Sequence, residues 1–139
     1  MAITQALCTS FKAQALLGVH DFRPDASATS DVFKLALYSA GASLSAGTTA
    51  YVTDSESVGT NYVAGGSALV NLGVTTGDTS GFVCLIYNNS PSTNDNAGAT
   101  LTNAAICVLD FGGTKTSTAG DFSIIFPANT SAAAIIRIA

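Results

Sequence analysis

The chain has 139 residues, enough for one domain with a self-sufficient core and too few for two. Asp, Glu, Lys and Arg together make up only 10% of it, against about 25% in an average soluble domain. Five basic residues (Lys12, Arg23, Lys34, Lys115 and Arg137) stand singly under a net charge of −4, so neither nucleic-acid phosphates nor an anionic membrane surface has a basic footprint to meet.

Residues 3–17 open the chain with a helical period. Ile3, Leu7 and Phe11 recur every four residues, flanked by Cys8 and Ala15, which predicts one amphipathic helix. Thr4 is placed to cap its first turn and Gly18 to stand just past its end. Leu16 and Leu17 are expected to widen its buried face. Residues 20–30, with Pro24, read as a polar loop.

From about residue 32 onward the period changes to that of strands. Phe33, Leu35 and Leu37 alternate with Lys34 and Ala36, predicting a strand over 32–38. Residues 39–49 form a small, polar loop, 50–53 a short strand around Tyr51, and 54–61 a turn. The Gly65-Gly66 pair favours a bulge or tight turn. Further strands are predicted over 68–75, 82–87, 104–111, 122–126 and 133–138. The run 82–87 is apolar throughout and is expected to be covered on both faces. The stretches 76–81, 88–100 and 112–120 read as turns and loops.

About seven or eight short strands separated by turn signals indicate a mainly β domain spanning residues 1–139, an antiparallel β-sandwich or jelly roll with one N-terminal α-helix. The helix is expected to cover an edge or an open end. No apolar run approaches the roughly 18 residues of a membrane span, and the N-terminus lacks the continuous apolar stretch of a secretory signal, so folding in a cytoplasm is expected.

Chemistry-bearing residues are sparse. His20 is the only histidine, the residue type most used for general acid–base work, and alone on a loop it is expected to be solvated. Cys8, Cys84 and Cys107 are widely spaced with no C-x-x-C pair, and they read as small core hydrophobes. Asp110-Phe111-Gly112 matches a kinase tripeptide without the rest of that motif set, and the segment ending at Lys115 and Thr116 lacks the glycine spacing of a phosphate loop. Asp54 and Glu56 would share a face on a strand, but two carboxylates fall short of the six or more oxygens of a calcium site. No catalytic, cofactor-binding or metal-ligating residue is expected, and the chain reads as non-enzymatic. Its low charge points instead to surface shared with other subunits.

Several stretches occur together in a familiar order: FKLALY at 33–38, TTAYVT at 48–53, GTNYVAGG at 59–66, LIYN at 85–88, VLDFGG at 108–113 continuing through Lys115 to Asp121 and Phe122, and IIRI at 135–138. With TSFK at 9–12, Gly18 and His20, the set resembles the small virion structural proteins of tailed bacteriophages. That family pattern places a Trp-containing strand between the double glycine and LIYN; this chain has no Trp. The resemblance implies a capsid cement or decoration protein, made in the host bacterial cytoplasm and bound to the outer face of the virion. Its partners would be the major capsid protein and its own copies, as a dimer or trimer. A tail or head-fibre component contacting the host is the alternative. A carbohydrate-binding domain is a remote third, since clustered aromatics and a paired acid set would be needed.

Overall fold

The apolar run at 82–87, which the sequence marks as a strand covered on both faces, lies in the central strand of the main sheet. In a computed structural model describing residues 4–21, 31–60, 62–69, 74–76, 80–89, 101–118 and 122–127, the elements are β1 (Ala6–Leu7), α1 (Thr9–Leu16), β2 (Phe33–Tyr38), β3 (Ser67–Ala68), β4 (Val74–Thr76), β5 (Ser80–Asn88), β6 (Ala104–Thr116) and β7 (Phe122–Ile124). Five strands make one open antiparallel sheet in the order β1-β6-β5-β2-β3, and β4 pairs with β7 separately. Among the described residues the fold is mainly β with one short helix. The expected strand at 133–138 and most of the loop at 88–100 lie outside the described residues.

Strand alternation separates the two faces of the central sheet. Ala36 of β2 lies opposite Leu85 of β5, on the same face as Tyr38 and Tyr87. Phe33, Leu35 and Leu37 lie opposite Asn88, Ile86 and Cys84, on the other face. Both faces are covered: residues 35–38, 84–88 and 104–108 are all buried. Full burial of side chains such as Leu35, Leu37, Leu85 and Ile106 stabilises the fold by about 1.5–3 kcal/mol each.

The helix is shorter than the apolar period predicts. Ala6 and Leu7 pair with Val108 and Cys107, and the Cys8 N–H donates to the Ile106 carbonyl at 2.9 Å, so these backbone groups belong to the sheet. Helix α1 starts after Cys8, not near Thr4. The first-turn N–H of Thr9 donates to Ala46 O at 2.8 Å in place of any side-chain cap. An i, i+4 stripe serves equally well when its first members are anchored as a strand, which is why the period misplaces the boundary. Leu16 and Leu17 are exposed rather than part of a widened core face; Phe11 is the buried residue of α1. The helix packs beside β6, the neighbour of the edge strand β1, and His20 just past its end reaches Asn88 of β5.

Gly18 does what its position suggests. Its φ is +68°, the Val19 N–H donates to Gln14 O at 3.1 Å, and the Gly18 N–H to Ala15 O at 3.2 Å. This paired closure reverses the chain at the helix end and turns Val19 and His20 inward, where both are buried.

Strand β6 is longer than expected, because residues 112–116 continue it instead of forming a loop. Between the pairs Gly81↔Lys115 and Val83↔Asp110, β5 advances two residues while β6 advances five. The surplus is absorbed in a bulge where Gly112 has φ +68° and its N–H donates to Asp110 Oδ1 at 2.8 Å. Glycines that read as loop formers here permit a bulge inside a strand. The predicted strand at 50–53 is reduced to a single bridge, Ala50↔Ala104. The predicted strand at 68–75 divides, its start pairing with β2 as β3 and its end with β7 as β4.

Candidate functional site

Two polar clusters, one on each face of the sheet, are the candidates. The first is built from the segment 50–66, which lies over the Tyr38–Tyr87 face. Its core is Glu56. The Ser57 N–H donates to Leu37 O at 2.8 Å and the Ser39 N–H to Ser55 O at 2.9 Å, so 55–57 runs as a brief extra strand along β2 and delivers the Glu56 carboxylate inward.

All four tyrosines of the chain converge there. Tyr51 donates its hydroxyl to Glu56 Oε2 at 2.6 Å, and Tyr62 donates to Oε1 at 2.7 Å. The Gly65 N–H also donates to Oε1, at 2.7 Å. Tyr62 in turn accepts the Leu37 N–H at 3.0 Å, reaching the edge of β2. Tyr87 donates to Gly65 O at 2.6 Å and stacks on Tyr51 with ring centroids 4.9 Å apart. Tyr38 donates to Val52 O at 2.7 Å. Hydrogen bonds to an ionised acceptor are about twice as strong as neutral ones, so this carboxylate is the anchor of the cluster.

The double glycine makes the arrangement possible. Gly65 and Gly66 have φ of +86° and +71°, and a Cβ on Gly66 would land on the Leu35 carbonyl. Only glycine lets the backbone press this closely against β2 while aiming the Gly65 N–H at Glu56.

The four phenols are inert near neutrality. Burial, reinforced by its hydrogen bond to Glu56, pushes the Tyr62 phenol far above its ordinary range; the same two causes act on Tyr51. Burial and then the Glu56 charge raise Tyr38, and they push Tyr87 up to about 12. Each phenol is held as a neutral donor. The arrangement fixes a long segment to a sheet; it does not present a reactive group.

The second cluster ties the end of α1 to β5 on the opposite face. His20 Nε2 lies 2.9 Å from Gln14 Oε1, and its Nδ1 lies 2.9 Å from Asn88 Nδ2. The same Asn88 nitrogen donates to Asp31 Oδ2 at 2.6 Å, and Asp31 Oδ2 also accepts the Asp21 N–H at 2.8 Å. The ring packs against Phe11 with centroids 5.2 Å apart. His20 is therefore buried, not solvated, and burial lowers its pKa against the opposing pull of Asp31.

The three thiols are free and buried. Burial pushes Cys8 up to about 11 and, with Cys8 nearby, Cys107 up to about 12; Cys84 is raised by burial first and by Cys107 second. Thiols held this way are poor nucleophiles and metal ligands. Asp54 sits exposed on a turn, and the structure does not bring it together with Glu56 as a pair on one strand. Asp110 serves the bulge. Among the described residues no group of three His, Cys, Asp or Glu could hold a metal ion, and no helix is long and apolar enough to cross a membrane.

The Glu56 and Asn88 roles escaped sequence reading because their partners come from distant positions. One signal was available: an Asn closing the apolar run at 84–87 is a buried polar group that demands partners. No family model, curated protein or solved structure matches this chain.

Proposed function

We propose that the chain is a virion structural protein of a tailed bacteriophage, a capsid cement or decoration subunit that binds the outer face of the major capsid shell. The observation that carries this reading is a set of large apolar side chains left in solvent on a protein with little charge. Leu16 is 91% exposed, Ile125 90%, Val58 88% and Val63 70%, while charged residues make up 10% of the chain. Such side chains, with few ionic neighbours to desolvate, suit docking onto other subunits.

The two clusters support the same role. Both spend their polar groups on holding segments to the sheet, which gives a docking subunit preset contact surfaces and a small ordering cost on binding. Many modest contacts repeated by capsid symmetry add up through avidity. A closed sandwich or jelly roll belongs to this proposal, with the β4–β7 pair as the beginning of a second layer; Phe122 and Ile124 of β7 pack against the core, and Phe122 lies 6.2 Å from Phe111 of β6. The subunit would act as a dimer or trimer and without catalysis.

Quantitative mass spectrometry of purified phage particles tests the proposal. Hundreds of copies per particle, removable with the head shell, are expected. A dozen or fewer would exclude cement and favour the tail or head-fibre role, and absence from particles would end both.

A further inference from the structure

The buried His20 and Asn88, with the half-buried Asp31, hold a donor–acceptor pattern that one protonation state alone satisfies. Asp31 Oδ2 is an acceptor 2.6 Å from Asn88 Nδ2, which fixes that end of the amide as the donor. The same nitrogen is 2.9 Å from His20 Nδ1, so Nδ1 must accept. The ring proton is then on Nε2, where it is donated to Gln14 Oε1 at 2.9 Å. A second proton, on Nδ1, would set two donors against each other. Turning the Asn88 amide over would relieve that contact only by placing its oxygen against the Asp31 carboxylate.

We propose that this group is an acid-operated latch, which holds the end of α1 to β5 while His20 is neutral and releases it when the ring gains a second proton. The latch is independent of the virion reading, since it rests on these contacts alone. Its position gives the release a defined reach. Gln14 lies in α1, Val19 and His20 follow the Gly18 reversal, Asp31 precedes β2, and Asn88 ends β5. Protonation loosens the junction of these segments and leaves the hydrogen-bonded centre of the sheet intact.

Two influences on the ring compete. From α1 the uncharged Phe11 and Gln14 face it, and from β5 the uncharged Asn88. Among the described residues, Asp31 is a charged side chain beside it, reached through Asn88, with Asp21 next along the chain. Burial disfavours the imidazolium and Asp31 favours it; burial prevails and the pKa is lowered from 6.5. A base with a depressed folded-state pKa protonates first in the unfolded chain. The fold therefore has the full benefit of the neutral ring above about pH 6.5 and loses stability as the pH falls below that value, and the latch itself opens at the lower pH where the folded ring takes up the proton. The folded-to-unfolded ratio falls by up to about tenfold per pH unit until the folded ring also titrates.

With a single histidine in the chain, imidazole nitrogen resonances belong to His20 alone. NMR titration of the intact protein from about pH 8 to 5 is expected to show the Nε2–H tautomer and a midpoint below 6.5. The amide signals of Val19 and Asn88 should shift in step with the ring, while those of Leu37 and Val108 stay fixed. A midpoint at or above 6.5, the result if Asp31 captures the charged ring, overturns the latch, as does an Nδ1–H tautomer. In a second arm, Asn88→Asp places a carboxylate against Nδ1 and is expected to raise the midpoint above the wild-type value; an unchanged midpoint also overturns it. The wild-type titration decides the matter even if that variant fails to fold.

Discussion

On one face of the central sheet a carboxylate gathers neutral donors; on the other an imidazole accepts from an amide that is shared with a carboxylate. Both clusters bind a peripheral segment to the same sheet, and each includes a residue of β5, Tyr87 in one and Asn88 in the other. They differ in which member can change charge near neutrality. Around Glu56 the donors are phenols that burial and the carboxylate keep protonated, so the set of bonds is constant across the physiological range. Around Asn88 an acceptor is His20, the side-chain type that ordinarily titrates nearest neutrality, its affinity for a second proton lowered by burial. Similar bond lengths can thus give one fastening that ignores pH and one that follows it.

The comparison can be broken most severely at Gly66. Gly66→Ala drives a methyl into the Leu35 carbonyl at a positive φ, and it is expected to cost about 4 kcal/mol in urea denaturation by adding overpacking to left-handed strain. Glu56→Ala removes the acceptor of three donors while leaving the sheet's own pairing in place. A loss of about 3 kcal/mol is expected, equal at pH 7.5 and 6 because His20 is not involved. A loss that grew on acidification would show that the two faces are coupled.

An alkaline scan sharpens the contrast. The unfolded chain releases phenolic protons near pH 10 while the folded chain retains them, so stability falls as the pH rises above that value. The slope is about 1.4 kcal/mol per pH unit for each phenol still protonated in the fold. Tyrosinate absorbance should appear together with loss of circular dichroism; ionisation near pH 10 in a folded protein would contradict the buried cluster. The smallest effect is expected at Gln14→Ala, which removes one partly buried bond to His20 Nε2 and should cost about 1 kcal/mol at pH 7.5. That difference should hold just below pH 6.5, where only the unfolded chain takes up the proton, and shrink at the lower pH where the folded ring itself titrates and the latch opens.

Much of the sheet was legible because apolar runs carry their own evidence. The alternation at 33–37 and the unbroken run at 82–87 correspond to β2 and β5, and the helix ended where Gly18 said it would. The helix start was not legible, since Leu7 meets the core equally well from a strand. Gly112 and Gly113 were read as a loop because glycine marks a bulge and a turn alike, and only the pairing with Ser80 and Gly81 separates them. The polar clusters were the least visible. Glu56 draws donors from positions 51, 62 and 65, and Asn88 finds acceptors at positions 20 and 31, relations set by tertiary approach and not by local spacing.

The three sealed thiols make the molecule a recorder of its own opening. Cys8 lies at the junction of β1 and α1, Cys84 within β5 and Cys107 within β6, and none is exposed in the native state. A brief pulse of a sulfhydryl reagent would therefore mark only molecules caught with a seam parted. Because each sulfur falls in a different stretch of chain, peptide mapping of the adducts would tell which seam had parted first.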